Sequence, residues 1–137
     1  MNSEGRQVAS KAETLGRAMA AVSRGEVEEF GEILLSDDVV WHWPGRSSVA
    51  GEYRGREAAL GLIRGFGELT QGRLRVEPVE ILEGRDYLMS FTHVTAEHEG
   101  QTLDVMMADA MRFGPDGRVA EYWTLSNDQA AVDAFLG

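Results

Sequence analysis

Apolar residues recur at spacings of three and four near the start of the chain and at every second position over most of its latter half. Val8, Ala12, Leu15, Met19 and Val22 form the stripe of an amphipathic helix, and Gly25 follows as a C-terminal stop. Val27, Phe30, Ile33 and Leu34 repeat the pattern in a shorter helix that Asp37 and Asp38 are expected to end. The β-branched and aromatic run "DVVWHW", residues 38–43, predicts a strand stopped by Pro44 and Gly45. A loop carrying Ser47, Ser48 and Gly51 leads to "REAALGLIRGFGEL", whose Ala59, Leu62, Ile63, Phe66 and Leu69 share one helical face despite the glycines among them.

The period then changes to alternation. "RLRVEPVEIL", "DYLMSFTHVTA", "QTLDVMMADAMRF" and "RVAEYWTL" predict four strands, with "EHEG" and "GPDG" as turns between the last three. In the first of them the apolar parity flips between Leu74/Val76 and Val79/Ile81, which predicts a bulge near Glu77 and Pro78. "SNDQAAVDAFLG" closes the chain as a short helix capped by Ser126 or Asn127. Consecutive strands with short turns make an antiparallel sheet, and the segregated helices pack on one face of it. The expected class is α+β, a curved sheet closed by helices into a cone with an interior pocket, in one domain spanning residues 1–137.

One strand carries an anomaly. The odd positions of 103–113 read Leu103, Val105, Met107, Asp109, Met111, Phe113, and the even ones hold Asp104 and Arg112. Side chains alternate along a strand, so the oilier face carries an acid. Either Asp109 lines a polar-tipped cavity, where burial would raise its pKa and suit it to proton transfer, or a bulge returns it to solvent. Trp41 and Trp43 share a face and suit a flat apolar ligand or plain core packing; His42 alternates outward as a candidate acid or base, or a surface histidine. Tyr53 in the "GEYRG" loop is a candidate hydrogen-bonding lid over the opening or, equally, a loop tyrosine that covers the core.

Composition narrows the chemistry. The 137 residues include 43% apolar and 8% aromatic positions, enough for one core. Without cysteine there is no disulfide or thiolate chemistry, and three scattered histidines make a poor metal set. A net charge of −10 disfavours nucleic acid and anionic membrane surfaces as partners. "MNSEGRQVAS" lacks the apolar core of a secretion signal and no apolar run is long enough to span a bilayer, so a cytoplasmic protein is expected.

The segments "VVWHWPG", "GEYRG", "VTAEHEG", "DAMRFGPDGRV" and "EYW" with a downstream "DQ" resemble SnoaL-like proteins of the nuclear transport factor 2-like superfamily, which also holds the ketosteroid isomerases. The resemblance implies the cone fold and places Asp109 on the acid that, in the isomerases, stays protonated and donates to a substrate oxyanion. It puts Trp43 where those enzymes carry their base, Ala18 where they carry a tyrosine donor, and Thr124 where the cyclases carry an acid or base. It also turns the faces of Ser90, Thr92 and Val94, and of Tyr122 and Thr124, towards the pocket, which with Trp41, Trp43, Tyr53, Phe66, Met107 and Met111 would bind an apolar small molecule. The opposite faces, with Met89, Phe91, His93 and Trp123, are too apolar for solvent, and the resemblance implies a homodimer through them. Function is expected to be that of a cofactor-independent isomerase, cyclase, dehydratase or hydrolase on a polycyclic or carbonyl-bearing substrate. The alternative is a binding protein using the same pocket without chemistry.

Overall fold

The computed structural model describes residues 10–137; Val8, the first residue of the predicted stripe, lies outside them. Helix α1, Lys11–Ser23, starts at a capping box in which Ser10 accepts from the Glu13 N–H while the Glu13 carboxylate accepts from the Ser10 N–H. It ends at Arg24 and Gly25, the latter at φ +81°. Helix α2, Val27–Leu34, runs directly into β1, Leu35–Trp43. The chain then forms β2, Gly51–Arg54; α3, Arg56–Thr70; β3, Leu74–Glu83; β4, Tyr87–His98; β5, Gln101–Phe113; β6, Val119–Ser126; and α4, Gln129–Leu136.

The six strands form one sheet in the order β2-β1-β6-β5-β4-β3. Pairing is antiparallel between the consecutive strands β3 to β6, as expected, and between β1 and β2. The single parallel pair is β1 with β6, strands that five elements and about half the chain separate, ample length for the crossover a parallel pairing needs. The predicted bulge is present: Pro78 pairs with Thr92 and Glu80 with Phe91, so Val79 is the extra residue. Irregularities of this kind bend a sheet. α3 lies across β1 and the inner face, and the centre of the core is Leu34, Leu35, Val39, Leu60, Leu88, Met111, Val119 and Val132.

Three expectations need correction. β1 begins at Leu35, not Asp38, because Leu35 and Ser36 are already buried and extended; Asp37 and Asp38 are exposed strand residues, with Asp37 paired to Arg56 at 2.9 Å. The loop before α3 contains the edge strand β2, which a single apolar side chain, Tyr53, was too little to reveal. The cap of α4 is Asp128, whose carboxylate accepts from the Ala131 N–H; Asn127 instead accepts from the Met106 N–H and Ser126 from that of Asp128.

Candidate functional site

Register decides where Asp109 points. β4 and β5 pair without interruption from Tyr87↔Arg112 to His98↔Gln101, so no bulge displaces it. Its neighbours on the same face, Leu103, Val105, Met107 and Met111, are buried, whereas Asp104 on the other face is exposed and lies 2.7 Å from His93. Asp109 therefore belongs to the inner face, in a cross-strand row with Ser90 on β4 and Thr124 on β6. Both of those partners are buried.

A directed relay ends on this carboxyl. The Trp41 indole Nε1–H donates to Thr124 Oγ1 at 2.9 Å, and Thr124 Oγ1 lies 2.9 Å from Asp109 Oδ1. An indole can only donate, so the threonine hydroxyl spends its own proton on Asp109 Oδ1. That oxygen accepts whether the acid is charged or neutral, which leaves Oδ2 to carry the proton of the neutral form. Burial pushes the Asp109 pKa up to about 7, and the Thr124 hydrogen bond opposes this to a smaller degree. The residue as a whole keeps some accessible surface although protein crowds its carboxyl closely. The crowding of the carboxyl is what governs its ionisation. Tyr122 is likewise held well above its ordinary pKa, first by burial and then by the Asp109 charge.

Aromatic rings extend from the relay. Trp41 stacks on Tyr122 with centroids 4.3 Å apart, meets Trp43 edge-on at 6.3 Å, and Trp43 touches Phe66 of α3 at 4.8 Å. Phe66 in turn lines an apolar cleft of about 490 Å³, together with Val49, Tyr53, Leu62, Leu69 and Leu136. Gly61 and Gly65, one turn apart on α3, also border it, and a Cβ at either would meet nothing within 4 Å. The Tyr53 hydroxyl donates to the Val49 carbonyl at 2.6 Å, fixing the loop that forms one rim. α4 fixes the same loop from the other side: the Asp133 carboxylate accepts from the Arg46 N–H, and the Gly137 carbonyl from the Ser48 N–H. A wider depression of about 620 Å³ lies at α2 between Glu26, Glu28, Glu29, Glu32 and Arg64, remote from the inner face.

Among the described residues, Trp43 carries the one buried side-chain polar atom without a hydrogen-bond partner. It is 8% exposed, and its buried Nε1–H finds no acceptor among the described residues. Leaving a buried donor without a partner costs about 1–3 kcal/mol.

The structure thus gathers Asp109, Thr124, Trp41, Tyr122 and Trp43 into one cluster, with Ser90 beside the acid and Met111 paired between Tyr122 and Leu88. Tyr53 and Phe66 sit at the cleft. Thr92 and Met107 form the next inner pair, and Val94 lies four residues from Ser90 along β4, about 13 Å at strand rise. His42 is on the opposite face, 2.7 Å from Glu121 and stacked on Trp123 at 5.4 Å; its hydrogen bond is the main cause holding the Glu121 carboxyl below the usual range. Sequence reasoning missed the Trp41–Thr124–Asp109 relay, since sharing a face does not reveal which hydroxyl an indole reaches. It also missed Val49, Leu62, Leu69 and Leu136 as cleft residues; the Gly61/Gly65 spacing was the one available signal, a strip of α3 without side chains.

The class is α+β: one curved six-stranded sheet with helices against it and an acid on its inner face. The chain belongs to the SnoaL-like domain family, whose pattern matches residues 15–122. It is similar in structure to Bal32a, from a soil-derived mobile gene cassette, with 32% identity, 93% of this chain and 96% of that one covered, and a TM-score of 0.87. A Xanthomonas campestris protein of cystatin-like fold is 23% identical over 94% of this chain and 99% of its own, with a TM-score of 0.84. IdmH, a candidate polyketide cyclase from Streptomyces antibioticus, is 20% identical over 94% and 99%, with a TM-score of 0.72. The latter two likenesses establish the common fold alone. No curated protein matches the sequence.

Proposed function

We propose that this protein takes up an apolar, carbonyl-bearing small molecule on the inner face of its sheet and uses Asp109 for proton transfer, as a cofactor-independent isomerase, cyclase, dehydratase or hydrolase. The observation that carries this reading is a carboxyl whose pKa burial brings to about 7, held by the Trp41–Thr124 relay with one oxygen left for the proton. A group of that pKa is present in both forms at neutral pH, which is what general acid–base work needs. Trp41, Trp43, Tyr53, Phe66, Ser90, Thr92, Val94, Met107, Met111, Tyr122 and Thr124 would form the ligand's surroundings. The family membership and the candidate cyclase of the same fold lend support.

A second reading, a binding protein without turnover, is favoured by one observation: Trp43 and Thr124, where the resemblance expects further acids or bases, supply no proton acceptor of useful basicity. One experiment separates the two. Exchange of the α-protons of 2-tetralone into deuterated water is followed by NMR with the wild type and Asp109→Asn. Enzyme-accelerated exchange that the variant loses supports catalysis; ketone binding without exchange supports the second reading; no binding contradicts both.

The same reading treats residues 1–137 as one domain and the working unit as a cytoplasmic homodimer. No helix among the described residues is long and apolar enough to cross a membrane. On the outer sheet face Leu82, Met89, Ala110 and Trp123 form a row across β3 to β6, beside Phe91, Ala108 and Leu125. Leu82 and Leu125 are more than half exposed, and a second copy would cover this surface.

A further inference from the structure

The orphaned indole of Trp43 says what the ligand must offer. We propose that Trp43 is the polar anchor of the site, its Nε1–H donating to a neutral carbonyl oxygen at the leading end of an otherwise apolar ligand. This rests on the small-molecule reading above and adds the group by which the ligand is recognised.

Four observations converge. Trp43 is 8% exposed and its Nε1–H has no acceptor among the described residues. Buried polar atoms in native proteins are almost always paired, and those that are not mark a ligand, a water or a functional role. Second, the ring has neighbours on both sides of the site: Phe66, a cleft residue, with its centroid 4.8 Å away, and Trp41, which begins the relay to Asp109, at 6.3 Å. The indole thus adjoins the cleft through Phe66 and the relay through Trp41. Third, indole only donates, so its partner must be an acceptor. Fourth, the cleft walls are Val49, Leu62, Phe66, Leu69 and Leu136, and no cation lines it, while the ionised form of Asp109 and the net charge of −10 repel anions. A neutral carbonyl on an apolar frame meets all four conditions; a carboxylate or phosphate does not.

Trp43 on this view discriminates ligands rather than performing chemistry. A site with a buried donor rejects an analogue that lacks the acceptor, because the donor then stays unpaired. Trp41, by contrast, is committed to Thr124 and contributes its ring face.

Fluorenone and fluorene share one flat frame and differ by a carbonyl against a methylene, so they isolate this contact. Calorimetric titration of the wild type should show fluorenone binding about tenfold tighter than fluorene, about 1.4 kcal/mol. Trp43→Phe should bring the ratio close to one. In ¹H–¹⁵N spectra of the wild type, which do not depend on the variant folding, saturating fluorenone should move the Trp43 indole resonance downfield and leave that of Trp41 near its place; fluorene should cause no downfield shift at Trp43. Equal affinities in the wild type, a preference that survives in Trp43→Phe, or a Trp43 resonance indifferent to bound fluorenone would overturn the anchor while leaving the pocket intact. If neither compound binds the wild type, the small-molecule reading falls, and the anchor with it.

Discussion

Asp109 links ionisation to folding with a definite sign. Its folded pKa, near 7, stands above the ordinary value of 3.8, so the folded state favours the neutral acid. Below about pH 4 both states are protonated and the group leaves stability at its maximum. As pH rises from there to 7 the unfolded chain ionises first, and stability falls by an amount of up to about 4 kcal/mol before levelling off. Asp109→Asn removes the titration and keeps the shape. Urea unfolding of both proteins from pH 4 to 8 should therefore show the variant gaining on the wild type through that window and running parallel above it. Parallel curves throughout would mean an ordinary, solvated aspartate. Thr124 makes the converse prediction. Thr124→Val deletes the hydrogen bond that lowers the Asp109 pKa and strands the Trp41 N–H, so the Asp109 midpoint should rise further and stability drop by about 1–3 kcal/mol at neutral pH. The inward direction of Asp109 was legible because strand parity is strict and Met107 and Met111 flank it. The relay was not, since an indole's partner depends on the parallel register of β1 against β6, a pairing between distant segments that local pattern does not carry.

At the scale of elements, long periodic segments were readable and short polar ones were not. The bulge at Val79 followed from one flip of parity beside Pro78, and the antiparallel run β3 to β6 from tight turns. β2 escaped because an exposed four-residue edge strand with one apolar side chain has no period to detect. α4 was visible as a helix, but its task was not: it clamps the 44–50 loop through Asp133 and Gly137 and sends Leu136 into the cleft. Gly45 shows how closely the clamp fits. Its φ of +98° is one that L side chains rarely adopt, and a Cβ there would run into Asp133 Oδ1 and Gln129 Nε2. Gly45→Ala is therefore expected to lift the loop from α4 at a cost of about 1–3 kcal/mol. Hydrogen exchange should show faster opening at Arg46 and Ser48, whose amides make the two clamp bonds, with β4 and β5 unchanged. Unaltered exchange at those amides would mean that α4 does not hold the rim.

Across the whole molecule the two sheet faces divide the work. The inner face holds a buried acid, a relay and aromatic rings that lead to an apolar cleft, while the outer face presents an apolar row with His42 stacked on Trp123 and bonded to Glu121. If a second copy covers that outer face, Trp123→Glu should halve the mass seen by light scattering at micromolar concentration, and a monomeric wild type would refute the dimer. The absence of cysteine excluded thiol chemistry, and the sheet pattern located the acid; substrate identity depends on the shape of the cleft, which no run of residues spells out. The claim on which the functional reading stands is a carboxyl poised between its two forms beside a ligand space. It is tested most directly by ¹³C NMR titration of the Asp109 side chain with and without saturating fluorenone. The expected midpoint is near 7 in the free protein, moving upward when the apolar ligand removes remaining water from the acid. A midpoint near 4 that the ligand leaves unmoved would contradict it.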